Sequence, residues 1–183
     1  MAAVLFFSCL LTHAPIHRCP NTDLQKQQLG QAVMDGVKYI QCDGTDEEKQ
    51  ICSQVGIEST PTTIIAGQGY HGAQTREVFE AAVQAPAMIA EHLKGIGATL
   101  FGRDSCIWTV RQRAIFGRHA DALNYVQCDA DAAQAAQCSA AGLEGLPAWK
   151  LNGKVHMGYM RLDQLAEAAG MESIRLDEQG GSR

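Results

Sequence analysis

The sequence repeats itself at an offset of 86 residues, and this repeat limits the folds open to the chain more than any other feature. The segment Tyr39–Asp43 aligns with Tyr125–Asp129. The same offset pairs further Cys, Gly and Pro positions: Cys52 with Cys138, Gly56 with Gly142, Pro61 with Pro147, and Gly72 with Gly158. Unrelated segments do not keep so many of these residues in one register, so the sequence predicts two copies of one unit.

The two copies differ in length near their beginnings. Cys9 and Cys106 are 97 positions apart, which indicates about 11 additional residues in the first copy. We place this insertion near His13–Asp23, a segment rich in turn-forming residues that ends in helix-capping types. The segment is therefore predicted to be a loop that leads into a helix.

Each copy has the same order of predicted elements. A short apolar strand is followed by a cysteine, a helix, a second strand, a short helix with another cysteine, a proline, a hairpin and a last helix. In the first copy these elements are the strand Val4–Phe7, the helix Leu24–Met34, the strand Val37–Gln41 and the hairpin strand Thr62–Ala66, with a turn at Gly67–Gly69. In the second copy they are the strand Ala98–Phe101, the helix Val110–Leu123, the strand Asn124–Gln127 and the hairpin strand Ala148–Leu151, with a turn at Asn152–Gly153. This order predicts an α/β fold in which each unit is a four-stranded mixed sheet flanked by helices.

The predicted boundaries give two modules joined by a connecting helix. The first module covers residues 1–85 and the second covers residues 98–176. Residues 86–97 between them are predicted to contain a short helix that begins at Pro86, because proline is favoured in the first turn of a helix. Residues 177–183 are predicted to be a flexible tail.

The composition excludes two classes of partner. The net charge is −5 and there is no basic stripe, so nucleic acid is not an expected partner. The longest apolar stretches, Ala2–Leu11 and Ala81–Ala90, are shorter than the roughly 20 residues of a membrane-spanning helix, so we expect no transmembrane segment. The first residues lack the basic region and cleavage site of a signal peptide, and are interpreted as part of the fold.

Seven cysteines in 183 residues indicate an oxidising compartment. Cys42 with Cys52 and Cys128 with Cys138 share a Cys-x9-Cys spacing that would tie the end of a strand to the following helix. We predict two structural disulfides, each stabilising a module with a small core. The alternative is that these pairs form a secondary redox relay.

The cysteines and histidines near the start do not follow a metal-binding pattern. Cys9, His13, His17 and Cys19 form a local cluster, but Pro15 interrupts the spacing and no familiar zinc motif fits. We therefore predict no metal site and no cofactor. Cys19 is instead a candidate disulfide partner for Cys9, provided that the backbone brings their Cα atoms within about 7 Å.

Residues 89–170 carry motifs of a known family. The matching positions are Glu91–Leu93, Ile96–Ala98, Gly102, Cys106, Gln112, Phe116–Gly117, Tyr125–Val126, Cys128, Cys138, Gly142, Pro147, Trp149, Asn152–Gly153 and Leu165–Ala166. This part of the chain resembles the thioredoxin-like domain that is fused to, or works beside, bacterial and plant vitamin K epoxide reductase homologues. The first copy resembles it through its cysteines, Gly56 and Pro61. The resemblance implies two tandem thioredoxin-like modules of glutaredoxin size.

The chain departs from that family at the redox motif. The family has Trp-Cys-Pro-His-Cys, whereas this chain has Cys-x-x-Thr twice, in Ser105–Thr109 and in Ser8–Thr12. A threonine cannot resolve a mixed disulfide, so dithiol chemistry is not expected at either motif. Cys9 and Cys106 are still candidate nucleophiles that would act without a second cysteine, because the amino end of a helix favours the thiolate. The alternative is that both are small buried core residues.

The resemblance also implies a peptide-binding role for the segments at the two prolines. It implies that Pro61 and Pro147 are cis-prolines that face the motif cysteines, and that leave neighbouring backbone free to pair with an extended peptide. With Thr60 and Leu146 before them, these are the candidate binding residues. Trp108, inside the motif, is either a protein contact or a core residue.

Three functions are compatible with these features. The first is a binding or structural subunit without dithiol activity, in a larger membrane-associated complex on its lumenal side. The second is a monothiol disulfide oxidoreductase or isomerase that uses Cys106, Cys9 or both, and the third is a redox-sensing subunit in which Cys9 and Cys19 toggle. The resemblance favours the thylakoid lumen as the compartment, with the endoplasmic reticulum lumen and the periplasm as alternatives.

Overall fold

The computed structural model describes residues 4–8, 20–29 and 38–171 of the chain. The strands are β1 Val4–Ser8, β2 Lys38–Gln41, β3 Thr62–Ile65, β4 Gln68–His71, β5 Thr99–Gly102, β6 Asn124–Gln127, β7 Ala148–Leu151 and β8 Lys154–Met157. The α-helices are α1 Pro20–Leu29, α2 Asp46–Val55, α3 Arg76–Gly95, α4 Ile107–Ala114, α5 Ala132–Ala140 and α6 Leu162–Ala168, with a 3-10 helix over Gly117–Ala122. The mixed α/β class expected from the sequence is therefore present.

The strands form two four-stranded sheets with the same arrangement. The first sheet has the order β2-β1-β3-β4 and the second has the order β6-β5-β7-β8. In each, the first strand pairs in parallel with the second strand and antiparallel with the third, and the third and fourth strands form a hairpin. A parallel pair places the carboxyl ends of both strands at one edge of the sheet. The segments that follow β5 and β6 consequently begin at the same edge.

Both hairpins have two-residue turns. In the second sheet the turn is Asn152–Gly153, with positive φ values of 48° and 77° that suit an Asn-Gly pair. In the first sheet the turn is formed by Ala66 and Gly67, with φ values of 51° and 80°. The predicted turn at Gly67–Gly69 is therefore wrong in its position, because Gln68 already pairs with Ile65 as the first residue of β4.

Two helices begin earlier than the apolar pattern indicated. Helix α1 begins at Pro20 rather than Leu24, since proline is compatible with the first turn of a helix. Helix α4 begins at Ile107, directly after Cys106, rather than at Val110. It does not continue to Leu123, because the chain passes into a 3-10 helix at Gly117, where φ is 54°.

The helix expected to begin at Pro86 is part of a longer helix, so its predicted start is wrong. Helix α3 runs from Arg76 to Gly95 with Pro86 in its interior. A proline there removes one backbone hydrogen bond. Buried residues on both sides of Pro86, among them Phe79, Ile89 and Leu93, stabilise the helix against that loss. The described residues divide into two compact units, 4–83 and 84–171, and the division lies within α3.

Each unit has a core of its own, and a buried glutamine in each was given no role by the sequence analysis. The largest buried side chains of the second unit include Trp149, Phe116, Leu100, Leu151 and Leu165, and those of the first include Ile40 and Ile65. Gln112 is fully buried and donates to the carbonyl of Met160 at 2.9 Å while accepting from its amide at 2.7 Å. Gln25 makes the same pair of hydrogen bonds with the backbone of Gln74. Each glutamine thus fixes the segment that precedes the last helix of its unit.

Candidate functional site

Cys106 lies between a strand and a helix in the second unit. It follows β5 and is the N-cap residue of α4, with the extended backbone of φ −87° and ψ 116°. The side chain is half-buried and is not part of a disulfide. Its position gives a thiol at the amino end of a helix, where the backbone amides and the helix dipole favour negative charge.

The surroundings of Cys106 stabilise its thiolate. The backbone amide and the hydroxyl of Thr109 hold the pKa of the Cys106 thiol below its usual value, and the amide of Trp108 and the charge of Arg103 act in the same direction. Partial burial opposes these effects without cancelling them. In the thiol form, Sγ donates weakly to the carbonyl of Leu146 at 3.8 Å. A lowered pKa increases the fraction of reactive thiolate at neutral pH.

Thr109 occupies the position where the family motif has its second cysteine. It is fully buried, and its hydroxyl oxygen accepts a hydrogen bond from the amide of Arg103 at 3.3 Å. A side chain at Gly102 would overlap with Thr109, so the glycine is required for this packing. Thr109 therefore supports the Cys106 loop and its thiolate, but it has no sulfur with which to resolve a mixed disulfide.

The two prolines singled out by the sequence both follow cis peptide bonds. These bonds are Thr60–Pro61 and Leu146–Pro147. In the second unit, the carbonyl that accepts from Cys106 belongs to Leu146, so the cis-proline segment lies beside the free thiol. Peptide binding by Thr60, Pro61, Leu146 and Pro147 stays a prediction.

Two disulfides join the cysteines that share the Cys-x9-Cys spacing. Cys42 is bonded to Cys52 and Cys128 to Cys138, and both pairs have a Cα–Cα distance of 5.7 Å. Cys42 and Cys52 are buried, with exposed fractions of 2% and 4%. Cys128 is 9% exposed and Cys138 is only half-buried. The second disulfide is thus the more accessible of the two.

An open cleft of about 500 Å³ brings the free thiol and the second disulfide together. We call it the Cys106 cleft. Its lining comprises Arg103, Ser105 and Cys106 before α4, Cys128, Cys138 and Ser139 from the disulfide region, and residues 143–146 before the cis-proline. All of these residues belong to the second unit.

The proximity of Cys106 to Cys128 and Cys138 is not evident from the cysteine spacing alone. A signal for the connection exists, because Cys106 and Cys128 follow the parallel neighbours β5 and β6, whose carboxyl ends share one edge. The amide of Cys128 donates to the carbonyl of Gly102, the last residue of β5, at 2.8 Å. This contact fixes the disulfide region against the strand that leads to Cys106.

Trp108 lies on the surface beside the thiol and not in the core. Its side chain is 49% exposed, and its ring contacts the guanidinium of Arg111, 4.9 Å away, and the ring of Tyr159 at a centroid distance of 6.3 Å. Ile107 and Val110 on the same helix are exposed to a similar extent, 58% and 48%. Three exposed apolar side chains therefore lie close to Cys106 in sequence.

The candidate cluster of Cys9, His13, His17 and Cys19 lies outside the described residues. Within residues 4–8, 20–29 and 38–171, no group of three or more His, Cys, Asp or Glu side chains is arranged to hold a metal ion. Among the helices of these same residues, none is long and apolar enough to cross a membrane.

The chain is similar to a plant redox enzyme over part of its length. Thiol-disulfide oxidoreductase LTO1 of Arabidopsis thaliana is 36% identical over 96 residues, which are 49% of this chain and 26% of that protein. The match thus spans about a quarter of the relative. No family model matches the chain.

Two solved structures from Enterococcus faecalis align with most of the chain at low similarity. The NTD_N/C domain of alkylhydroperoxide reductase AhpF is 13% identical, with 92% of this chain and 91% of that chain covered and a TM-score of 0.34. A cysteine-to-alanine mutant of the same reductase, AhpF, is 12% identical, with coverages of 92% and 90% and a TM-score of 0.33.

The sheet topology and the plant relative support one structural assignment. The mixed four-stranded sheet, with a cysteine at the start of the helix after its central strand, is the thioredoxin-like arrangement. The relative is named as a thiol-disulfide oxidoreductase. The chain therefore contains a thioredoxin-like domain with disulfide bonds, which fits an oxidising compartment.

Proposed function

We propose that this chain performs thiol–disulfide exchange with Cys106 as a single nucleophilic cysteine. The observation that carries the proposal is the placement of an unpaired thiol with a lowered pKa at the wall of an open cleft. A buried core cysteine would have neither the cleft nor the thiolate-stabilising contacts. The similarity to a protein named as a thiol-disulfide oxidoreductase supports the same chemistry.

In this chemistry the Cys106 thiolate attacks one sulfur of a peptide or protein disulfide. A bond forms between Cys106 Sγ and that sulfur, the substrate disulfide breaks, and the other substrate sulfur leaves as a thiolate. A second thiolate then attacks the mixed disulfide and releases Cys106. Since Thr109 cannot supply that second thiolate, it comes from another group. By sequence alone, Cys9 is a second candidate nucleophile.

Differential alkylation of the native chain tests the proposal. We expect Cys106 to react fast at neutral pH, and Cys42 and Cys52 to react only after reduction and unfolding. Incubation with a peptide disulfide should give a mixed disulfide on Cys106, which Cys106→Ser abolishes and Cys9→Ser leaves in place. Alkylation of Cys106 only after unfolding, or mixed-disulfide formation that survives Cys106→Ser, contradicts the proposal.

A binding subunit without turnover is the second candidate function. The exposed apolar side chains of Ile107, Trp108 and Val110 favour it, because such residues beside a thiol suit contact with a partner polypeptide. The partner would be a protein, and the family resemblance suggests a membrane-embedded complex. The alkylation experiment separates the two functions, since a purely structural subunit requires no reactive thiol.

We also propose that the chain is a tandem of two thioredoxin-like modules, residues 1–85 and 98–176, joined by residues 86–97 and followed by a tail over residues 177–183. Support comes from the identical order of the strands in the two sheets and from the equal sequence separation, 10, of the two disulfides. The matching hydrogen bonds of Gln25 and Gln112 add to it.

The proposed compartment is the thylakoid lumen, with the endoplasmic reticulum lumen and the periplasm as alternatives. Disulfides persist in all three, so they do not distinguish between them. The plant origin of the relative supports the first.

A further inference from the structure

We propose that the Cys128–Cys138 disulfide is the internal redox partner with which the Cys106 thiolate exchanges, so that three cysteines of one cleft replace the missing Cys-x-x-Cys pair. This inference rests on the proposed function of Cys106 as a nucleophile. It assigns a redox role to a disulfide whose spacing equally fits a structural bond. It predicts that a thiol-disulfide relay operates inside the second unit.

Cys106, Cys128 and Cys138 line the same cleft. Leu146 contacts both groups. Its carbonyl accepts from Cys106 Sγ, and its side chain packs against the apolar cluster that contains Cys128. Cys138 packs against the same cluster. The Cys42–Cys52 bond does not line this cleft. Within the described part of the chain, Cys128–Cys138 is therefore the disulfide that the Cys106 thiolate can address.

The two disulfides differ in their exposure. Cys42 and Cys52 lie in an apolar cluster with Ile40 and are 2% and 4% exposed. Cys138 is half-buried at the cleft wall, although it corresponds to Cys52 in the sequence repeat. Thiol–disulfide exchange requires access of the thiolate to a disulfide sulfur. The two Cys-x9-Cys pairs thus differ in access: the Cys42–Cys52 bond is buried, whereas a thiolate can reach the Cys128–Cys138 bond.

The exchange balances without an external reactant. The Cys106 thiolate attacks Cys138 Sγ, a Cys106–Cys138 bond forms, the Cys128–Cys138 bond breaks, and Cys128 leaves as the thiolate. One disulfide and one thiolate are present before and after, so the chain is neither oxidised nor reduced. Attack at Cys138 is favoured because it is the more exposed residue of the pair.

The rearranged chain is then able to oxidise a substrate dithiol. One substrate thiolate attacks Cys106 Sγ, and Cys138 leaves as a thiolate. The second substrate thiolate attacks the substrate sulfur of the mixed disulfide, and Cys106 leaves. The substrate loses two electrons and gains a disulfide, while Cys128 and Cys138 end as a dithiol. Exchange with an external protein or small-molecule disulfide restores the Cys128–Cys138 bond.

The decisive experiment uses the full chain with all its disulfides and follows their reduction by a peptide dithiol. Alkylation and peptide mapping report each bond separately. We expect Cys128–Cys138 to be reduced before Cys42–Cys52, and Cys106→Ser to slow the reduction of Cys128–Cys138 by about tenfold or more. Reduction of Cys42–Cys52 is the internal control and should be unchanged. Equal rates for Cys128–Cys138 in the wild type and in Cys106→Ser overturn the proposal.

A trapping variant gives independent evidence. In Cys128→Ser, Cys138 is left without its partner, and we expect oxidised glutathione to convert the Cys106 and Cys138 thiols to a Cys106–Cys138 disulfide, seen in non-reducing peptide maps, with two glutathione thiols released. The matched control is Cys42→Ser, in which no disulfide between Cys106 and Cys52 should form. If Cys106 forms mixed disulfides with peptides but never with Cys138, the relay is wrong and the proposed function stands. If Cys106 forms neither bond, the relay and the proposed function are both wrong.

Discussion

At the scale of single residues, Thr109 supports the thiolate of Cys106 but supplies no second thiol. Its hydroxyl does not form disulfides. The hydroxyl and the amide of Thr109 still lower the pKa of Cys106, and its buried side chain packs on Gly102. The site therefore keeps the features of a nucleophile without those of a self-contained dithiol.

This division of roles predicts the effect of Thr109→Val. Valine keeps nearly the same shape but has no hydroxyl, so the pKa of Cys106 should rise while the contribution of the amide persists. The alkylation rate of Cys106 should fall at neutral pH and approach the wild-type rate at high pH, where both thiols are ionised. The pH profile of alkylation, read by mass spectrometry at Cys106, measures this shift.

The matched control is Thr99→Val, at the opposite end of β5. Its profile should coincide with that of the wild type. An unshifted profile in Thr109→Val would mean that the hydroxyl does not contribute to the thiolate.

At the scale of elements, side chains at the junctions between strands and helices accept hydrogen bonds from backbone amides. Thr45 and Glu48 form a capping box at the start of α2, and Glu48 also accepts from the amide of Gln41 at 3.1 Å. At the start of α5, Asp131 is the cap and Gln134 accepts from the amide of Gln127 at 2.8 Å. Glutamate and glutamine therefore have the same role at the two junctions, but only the glutamate titrates.

The pH dependence of the stability of Glu48→Gln, compared with that of the wild type, tests this difference. The amide of Thr45, followed by the amide of Gln41, holds the pKa of Glu48 below its usual value. A carboxylate with a lowered folded-state pKa stabilises the fold above its unfolded pKa, and this contribution is lost as the pH falls through the folded pKa. The wild type should be more stable than the variant at about pH 7, and the difference should shrink toward about pH 3.

Thermal unfolding of both proteins across this pH range measures the difference. A constant gap would show that the charge of Glu48 does not contribute. The backbone amide and then the side-chain amide of Gln134 hold the pKa of Asp131 below its usual value, and the side-chain amide donates to the Asp131 carboxylate at 3.2 Å. Gln134→Ala removes the side-chain donor, so its effect on stability should also be larger at about pH 7 than at about pH 3.

At the scale of the whole chain, the two disulfides close loops of equal length but lie in different surroundings. Both have a sequence separation of 10, so the chain-entropy model gives each a stabilisation of about 2 to 3 kcal/mol. The Cys42–Cys52 bond lies among apolar side chains, whereas Cys138 borders an open cleft. Loops of equal length thus coexist with unequal access to a thiolate.

The paired substitution Cys42→Ala and Cys52→Ala should lower the free energy of unfolding by about 2 to 3 kcal/mol, from the loss of the loop constraint. The alkylation rate of Cys106 should stay at its wild-type value, because neither cysteine lines the Cys106 cleft. Urea unfolding monitored by circular dichroism gives the first quantity, and mass spectrometry gives the second. A large change in Cys106 reactivity would mean that this disulfide also serves the thiol site.

Features that depend on local pattern and spacing could be predicted from the amino-acid sequence. Apolar runs located the strands to within about one residue at most ends, as at Asn124–Gln127 and Ala148–Leu151, because strand side chains alternate with a short period. The Asn152–Gly153 turn was predicted because few residue pairs accept positive φ at both positions.

Features that depend on distant residues required the three-dimensional packing. Pro86 was expected to begin a helix, but burial along both halves of α3 outweighs its local effect. The role of Gln112 is not visible in the sequence, because it depends on hydrogen bonds to the backbone of the distant Met160. Cys106 and Cys138 are separated by two helices and a strand in the chain, yet they line one cleft because β5 and β6 end at the same edge. A spacing pattern indicates which cysteines pair, but access to a bond is set by the packing around it.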